Sequence, residues 1–415
     1  MFSKLQYHPR YKVLAVLWLV YGCYYLNRLN LAPVIPLMMR DLHLTHTQIG
    51  LISTAFFAFY TIAQLPAGYL SDIFGPRKII VTGGFLSSLA NALFSAGTGL
   101  GFLIGLQSVN GLGQGCGFSP SIKLLNNWFP ASERGRALGI FCTCTSVFTV
   151  LAYLLSGYVG HRFGWRIVFI ISPLIMLPGL VIFRLLATDH PDESGIIIGR
   201  DNPDEEPDGV SLQRKNRLFA VISNGPTRMA CLGFSCLSYI TYCNLIWLPL
   251  YLYEFHGLSV VSAGLCAGIY PLMGIIARPL GGYLSDITLK GKRKPVILVG
   301  LFMILIFTAL LALSDHLIIV LMLIAGVGFF DQTIGTLFFA LELDILSPDL
   351  TGTASGFLEA GGHLGSMCAM FLTGILIDTF GSYASVFFLL SFLAALGILA
   401  VLLIPESKQR AYGFS

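Results

Sequence analysis

The residue whose chemistry stands out most in this 415-residue chain is Arg28, which lies in a long apolar stretch at positions 13–36. A guanidinium near the centre of a lipid bilayer costs roughly 2.5 to 3.5 kcal/mol on insertion scales. Its planar donor fork matches a carboxylate or a phosphate, and Tyr24 and Tyr25 beside it supply hydroxyl donors and an apolar wall. We therefore predict that these three residues bind a small anion. The alternative is an arginine tied to a carboxylate or to helix carbonyls for structure alone.

Acidic residues are few within the apolar stretches, and the candidates are Asp331 and Glu359, with His363 four positions after Glu359. Residues four apart share one face of a helix, so Glu359 and His363 are able to form a pair or to pass a proton. A carboxylic acid removed from water binds a proton on one side of a membrane and releases it on the other. We predict that these three residues couple a proton, the expected co-substrate, to the function of the chain. The alternatives are a role in substrate binding and a purely structural role.

Other polar side chains within apolar stretches are candidates for lining the same site, although such residues also form ordinary hydrogen bonds between helices. They are Gln114, Thr241, Tyr242, Asn244 and Tyr270. The nine cysteines are scattered and form no C-x-x-C motif, so they are interpreted as small apolar packing residues. We predict no metal and no cofactor.

The elements that must position these residues are membrane-spanning helices. The chain is 55% hydrophobic and only 11% charged, with a mean hydropathy of +0.78, whereas a soluble domain is about 25% charged. Its apolar residues form blocks of about 20, the length that a helix needs to cross a bilayer, and they lack the alternation of a β-barrel. The predicted spans are 13–36, 48–70, 79–99, 101–123, 136–160, 167–188, 229–253, 260–284, 295–314, 317–341, 353–378 and 384–404. The first is too long for a signal peptide and is expected to be retained.

The basic residues indicate how the chain is oriented, because cytoplasmic loops are rich in Lys and Arg. With both termini in the cytoplasm, only Arg40, Arg162 and Arg166 of the 25 Lys and Arg fall on the opposite side, while Arg28 and Arg278 lie inside spans. This predicts a multi-pass protein of the cell inner (plasma) membrane. The polar segment 191–225 is expected to be a cytoplasmic linker between two domains, 1–190 and 226–415. Its basic part is expected to lie on anionic lipid rather than on nucleic acid.

The two halves repeat each other in sequence. Gly68-Tyr-Leu-Ser-Asp72 recurs letter for letter at 282–286, and Gly135-x-Ala137-x-Gly139 recurs at 352–356 with nearly the same offset. The chain is therefore interpreted as a tandem duplication. The expected fold is an all-α membrane protein with twelve transmembrane helices in two pseudo-symmetric six-helix bundles.

The segment Gly68-Tyr-Leu-Ser-Asp72-Ile-Phe-Gly75-Pro-Arg77-Lys78 resembles the signature G-x-L-[SA]-D-x-x-G-x-[RK]-[RK] of the major facilitator superfamily. The resemblance implies the major facilitator fold, a secondary transporter that is not an enzyme, a working monomer, and a loop that acts as a latch on the cytoplasmic side. The residues expected to gate the protein are Asp72, Arg77, Arg134, Arg136, Arg278 and Asp286.

More narrowly, Tyr24-Tyr25-Leu26-Asn27-Arg28-Leu29-Asn30 resembles the first helix of organophosphate/phosphate exchangers and of anion/cation symporters. Three cationic or imidazole positions of the exchangers fall on Gln64, Thr145 and Thr241, which indicates a less charged substrate. We expect proton-coupled transport of a small organic anion, such as a monocarboxylate or a sugar acid. The alternatives are an organophosphate/phosphate-type antiporter and an exporter of drugs or siderophores.

Overall fold

The computed structural model describes residues 9–191, 214–283, 292–346 and 350–405. Its described residues form helices and short connections without any β-strand. The predicted linker lies mostly outside the described residues, as does Asp286. The helices are α1 Pro9–Leu29, α2 Ile35–Leu42, α3 His46–Phe74, α4 Pro76–Phe94, α5 Leu100–Gly115, α6 Phe118–Trp128, α7 Ala131–Phe163, α8 Trp165–Leu186, α9 Arg214–Ser223, α10 Gly225–Glu254, α11 Val260–Ala267, α12 Ile269–Tyr283, α13 Arg293–Ala312, α14 Leu317–Ile345, α15 Thr351–Phe380 and α16 Tyr383–Leu402.

All twelve predicted spans fall on helix in the described residues, which confirms an all-α membrane protein. Within those residues, eight helices are long and apolar enough to cross a membrane, or nine when a bent pair in α3 is counted as one span. Helix α1 is less apolar because it carries Asn27 and Arg28. Helices α5 and α6 have only 16 and 11 residues, fewer than the roughly 20 that a bilayer requires.

Three predicted spans are interrupted by short connections, although Val260–Gly281 remains long and apolar enough to cross a membrane as one span. The span predicted at 13–36 ends as α1 at Leu29, and a short 3-10 turn at Ala32–Val34 precedes α2. Pro33 and Pro36 lie in the first positions of that turn and of α2, where a missing backbone N–H is tolerated. The spans predicted at 101–123 and 260–284 break between α5 and α6 and between α11 and α12. Both breaks lie at glycine-containing connections, which the hydropathy pattern does not reveal.

Close packing of helices is made possible by glycine at two positions that matter for the site. A Cβ atom at Gly113 of α5 would lie 2.6 Å from the backbone oxygen of Gly83 and the backbone nitrogen of Ser87, both in α4. A Cβ atom at Gly281 of α12 would lie 2.4 Å from the backbone oxygen of Thr333 in α14. Both pairs of helices therefore approach to backbone contact, as is common for small residues in membrane helices.

Contacts among the helices divide the chain into two compact units. The first unit comprises the described parts of 1–208, 243–275 and 370–381, and the second comprises those of 209–242, 276–369 and 382–415. Helices α10, α12 and α15 each contribute a segment to both units. The two domains predicted at 1–190 and 226–415 remain a prediction.

Candidate functional site

In the first unit, Arg28 lies in the last turn of α1 and is 7% exposed. Its Nε donates a hydrogen bond to Oε1 of Gln114 at 3.1 Å. The guanidinium carbon lies 4.6 Å from the ring centre of Tyr25 and 4.8 Å from that of Tyr60, distances typical of cation–π contacts. The cation is therefore held by an amide and two aromatic faces, and it benefits from the partial negative charge at the end of α1.

Gln114 is fully buried, and its own hydrogen bonds fix its orientation. Its Nε2 donates to the backbone oxygen of Tyr24 at 2.9 Å and to Oγ of Ser87 at 3.0 Å. Because both acceptors are neutral, this amide does not connect Arg28 to a carboxylate. The close approach of α5 to α4 at Gly113 brings Ser87 within reach of Gln114.

The tyrosines of α1 differ in what they contact. Tyr24 is fully buried, and its hydroxyl donates to the backbone oxygen of Ile80 in α4 at 2.5 Å. The predicted hydroxyl donor is thus already engaged between α1 and α4, and contact of Tyr24 with a ligand remains a prediction. Tyr25 is half-buried and lies against the guanidinium. Tyr60 was not predicted, and its only signal in the sequence is a polar aromatic residue in the middle of the span at 48–70.

A buried network of amides and hydroxyls adjoins Arg28, and the sequence analysis missed it. The Nδ2 of Asn30 donates to Oδ1 of Asn91 at 3.0 Å, and the Nδ2 of Asn91 donates to the backbone oxygen of Asn27 at 3.3 Å. Ser87 donates to Oδ1 of Asn110 at 2.7 Å. The sequence signal for this network is the spacing of three residues from Asn27 to Asn30 and of four from Ser87 to Asn91, because such residues share one face of a helix. The network joins α1, α4 and α5 around the arginine.

The second unit contains a different buried charge, Asp331 in α14, which is 2% exposed. Its Oδ1 accepts from the hydroxyl of Thr241 at 2.7 Å, and its Oδ2 accepts from Nε2 of Gln332 at 2.8 Å. Oε1 of Gln332 accepts from Nε and Nη2 of Arg278 at 3.0 and 2.7 Å. The structure thus brings together Asp331, predicted to couple a proton, and Thr241, predicted to line the site. Arg278, which was predicted to gate the protein, is linked to the same carboxylate through an amide.

The remaining predicted binding and coupling residues are placed as follows. Asn244 and Tyr270 belong to the first unit and are buried, whereas Tyr242 belongs to the second unit and is half-buried. Glu359 and His363 are half-buried on one face of α15 in the second unit. Their roles remain predictions.

The predicted gating loop between α3 and α4 is tied down by several contacts. Lys123 of α6 forms an ion pair with Asp72 and donates to the backbone oxygen of Ser71 at 3.1 Å. The backbone nitrogen of Arg77 donates to Asp189 at 2.8 Å, and its guanidinium donates to the backbone oxygen of Ala187 at 2.8 Å. The loop is therefore anchored to α6 and to the end of α8.

The arginines that follow α6 contact other groups. Arg134 donates to the backbone oxygens of Phe129 at 3.1 Å and of Asn126 at 3.3 Å, so it caps the end of α6. Arg136 is exposed. Asp72 is thus paired with Lys123, while Arg134 donates to backbone carbonyls. Gating by these residues remains a prediction.

The described chain is an all-α, multi-pass membrane protein with charged and amide side chains buried inside its helices. It belongs to the Major Facilitator Superfamily, whose sequence profile matches residues 17–359 and 289–414. The family is one of membrane transporters and not of enzymes.

Several known proteins are similar over nearly the full chain. The probable sulfoacetate transporter of Cupriavidus necator is 27% identical over 97% of this chain and 95% of its own length. The probable galactarate/D-glucarate transporter of Bacillus subtilis is 28% identical over 97% of this chain and 93% of its own. A bacterial homolog of the human lysosomal transporter Spinster, solved in an inward-facing and unoccupied conformation, superposes with a TM-score of 0.76 at 17% identity, covering 97% of this chain and 95% of that one. The structural match shows the fold.

Proposed function

We propose that this protein moves a small organic anion, such as a sugar acid, across the inner (plasma) membrane by alternating access of residues 1–190 and 226–415. The observation that carries the proposal is Arg28, a buried guanidinium held by Gln114, Tyr25 and Tyr60. A guanidinium remains charged when it is buried, and its planar donor fork suits a carboxylate. The names of the two relatives, transporters of sulfoacetate and of galactarate or D-glucarate, support the same class of substrate.

We further propose that transport is coupled to protons and that Asp331 is the residue that binds the proton. Its carboxylate is buried and accepts hydrogen bonds from Thr241 and Gln332, while Arg278 lies one amide away. A buried carboxylate responds strongly to the charges around it, so a change of its surroundings during transport alters its proton occupancy. Both chain termini are placed in the cytoplasm on the basis of the Lys and Arg distribution. The turn at residues 43–45 then faces the outside.

The test is uptake by the purified protein in proteoliposomes, with galactarate, D-glucarate and sulfoacetate as substrates. We expect an inwardly directed proton gradient to drive accumulation and Arg28→Gln to abolish it. The matched control is Arg40→Gln, because Arg40 is an exposed arginine of α2. Expression and thermal stability are measured for both variants so that loss of transport is separated from loss of fold.

The same assay distinguishes the alternatives. Accumulation that ignores the proton gradient but follows a counter-loaded phosphate ester would identify an organophosphate-type antiporter instead. Efflux of apolar compounds that survives Arg28→Gln would identify an exporter and contradict the proposal.

A further inference from the structure

The first turn of α3 contacts two carboxylates from much later in the chain. Nδ1 of His46 lies 2.7 Å from Oδ1 of Asp378 in α15, and Nε2 of His46 lies 3.1 Å from Oε2 of Glu254, the last residue of α10. Asp378 also accepts from the backbone nitrogen and the hydroxyl of Thr47, at 2.8 and 2.6 Å. One carboxylate thus caps the N-terminus of α3, and two carboxylates flank one imidazole. We call His46, Glu254 and Asp378 the histidine–carboxylate cluster.

The backbones of α3 and α15 touch beside this cluster. A Cβ atom at Gly50 would lie 2.5 Å from the backbone oxygen of Met370, and one at Gly374 would lie 2.5 Å from the backbone oxygen of His46. Such contacts leave no room for a water layer between the two helices. The cluster therefore belongs to a closed contact between the first and the last third of the chain.

The number of protons in the cluster follows from its geometry. An ionised carboxylate only accepts hydrogen bonds, and both ring nitrogens of His46 face carboxylate oxygens. A neutral imidazole donates from one nitrogen only and would turn a lone pair toward the other carboxylate. Both contacts are satisfied together when the ring carries two protons, as an imidazolium. When α15 and α10 move away, His46 is left without the charges that favour its charged form.

The charged groups that the described structure places against His46 are Asp378 from α15 and Glu254 from α10, and the ring of Trp247 lies 6.4 Å from the imidazole. Asp41 in the neighbouring α2 is paired elsewhere, with Arg166 and Trp165. The hydrogen bond from Trp165 and the pairing with Arg166 hold the pKa of Asp41 below its ordinary value. Asp41 therefore remains ionised in the pH range where a histidine titrates.

We propose that the histidine–carboxylate cluster is a proton-binding site on the outer face, and that proton binding at His46 closes the outer end of the transporter. The outer position and the link to transport rest on the proposed function. Because the proton is held in the closed arrangement, external acid favours closure and a rising pH favours opening, as linkage requires. This site is distinct from Asp331. In this proposal a coupling proton from outside binds at the histidine–carboxylate cluster before it reaches Asp331.

The experiment measures hydrogen exchange of the backbone amides in residues 44–52 and 370–380 of the full-length protein, at several pH values and after correction for the intrinsic exchange rate. We expect protection in the wild type to fall about tenfold between about pH 6 and about pH 9, since one charge-assisted hydrogen bond is lost. His46→Gln should remove this pH dependence. The matched control is His43→Gln, because His43 lies in the adjoining turn and outside the cluster.

A second variant keeps the test decisive if His46→Gln does not fold. Glu254→Gln keeps Asp378 on the α3 N-terminus but removes one of the two carboxylates, so it should retain protection and lose most of its pH dependence. Wild-type protection that does not change with pH, or an unchanged profile in His46→Gln, would overturn the proposal.

The two proposals fail in different ways. If proton gradients do not drive uptake while exchange still depends on pH through His46, the proposed function is wrong and the site remains. If uptake is proton-driven while exchange is independent of pH, the site is wrong and the proposed function remains.

Discussion

Arg28 in the first unit and Arg278 in the second each donate a hydrogen bond to a glutamine, but the two glutamines have different partners of their own. Each donates from Nε to Oε1 of a glutamine, Gln114 at 3.1 Å and Gln332 at 3.0 Å. The amide of Gln114 then donates to a backbone carbonyl and a serine hydroxyl, whereas the amide of Gln332 donates to the carboxylate of Asp331.

The difference shows how one pair of residue types serves two purposes. In the first region the hydrogen bonds that Gln114 donates end on neutral groups, and under the proposed function the guanidinium of Arg28 binds the anion. In the second region the amide of Gln332 donates to the carboxylate of Asp331, and under the proposed function that carboxylate binds the proton. The proposed function therefore assigns anion binding to the first arrangement and proton binding to the second.

The largest expected effect separates the two arginines. Arg28→Lys should lower uptake about 10- to 100-fold, because an ammonium lacks the planar fork and loses a charged hydrogen bond. Arg278→Lys should lower it about threefold or less, because an ammonium still donates to Gln332. Initial uptake rates in proteoliposomes measure both. Equal losses in the two variants would contradict the distinction.

The variant Gln114→Glu gives the first region the carboxylate that the second region already has. Gln114→Glu places a carboxylate beside Arg28, and we expect it to lower the affinity for the anion about tenfold by competing for the guanidinium. Gln332→Glu adds a second carboxylate beside Asp331 and should instead change the pH profile of uptake, since like charges disfavour ionisation. Substrate affinity and its dependence on pH are measured for each variant. An unchanged affinity in Gln114→Glu would argue that Arg28 does not bind the substrate.

The variant Asp331→Asn tests whether the carboxylate of the second region couples a proton to transport. The variant should still exchange internal for external substrate but lose proton-driven accumulation, which amounts to about tenfold for each coupled proton and pH unit. Asp315→Asn is the matched control, because Asp315 is an exposed residue just before α14. Accumulation ratios are compared with counterflow rates in the same vesicles. A loss of both activities would place Asp331 in substrate binding or folding instead of coupling.

The smallest effect concerns the packing that brings each glutamine into place. Gly113→Ala and Gly281→Ala force a Cβ atom against backbone atoms of the neighbouring helix, and each should cost about 1 kcal/mol or more. Gly105→Ala in α5 and Gly335→Ala in α14 are matched controls, because nothing lies within 4 Å of their Cβ positions. Thermal unfolding in detergent measures all four. Equal stability of the four variants would mean that the helix contacts adapt without cost.

The sequence predicted the fold closely, because a helix that crosses a membrane needs about 20 apolar residues and this length is readable from hydropathy. It did not predict the breaks after Leu29 and Gly115, since a proline or glycine inside an apolar block is compatible with either a kinked helix or two helices. The family signature was readable for the same reason as the spans, because it is a local pattern, and the family is confirmed.

The candidate site was only partly predictable. Arg28 and Asp331 were found because charge inside an apolar block is rare. Tyr60 was missed, and the link from Arg278 through Gln332 to Asp331 was not predicted, because both contacts join residues on different helices. Spacing within one helix defines which residues share a face, but it does not define which residue of the next helix lies opposite.

The hydrogen bonds between Thr47 and Asp378 join residues 331 positions apart in sequence, and this separation determines when they form during synthesis of the protein. At translation rates of roughly 5 to 20 residues per second, α3 is made roughly 15 to 70 seconds before α15. Throughout that time the backbone nitrogen of Thr47 lacks the carboxylate of Asp378, although Thr45 already caps the backbone nitrogen of Gln48. A nascent chain therefore forms the contact between α3 and α15 as one of the last steps of assembly, and a chain truncated before α15 never forms it.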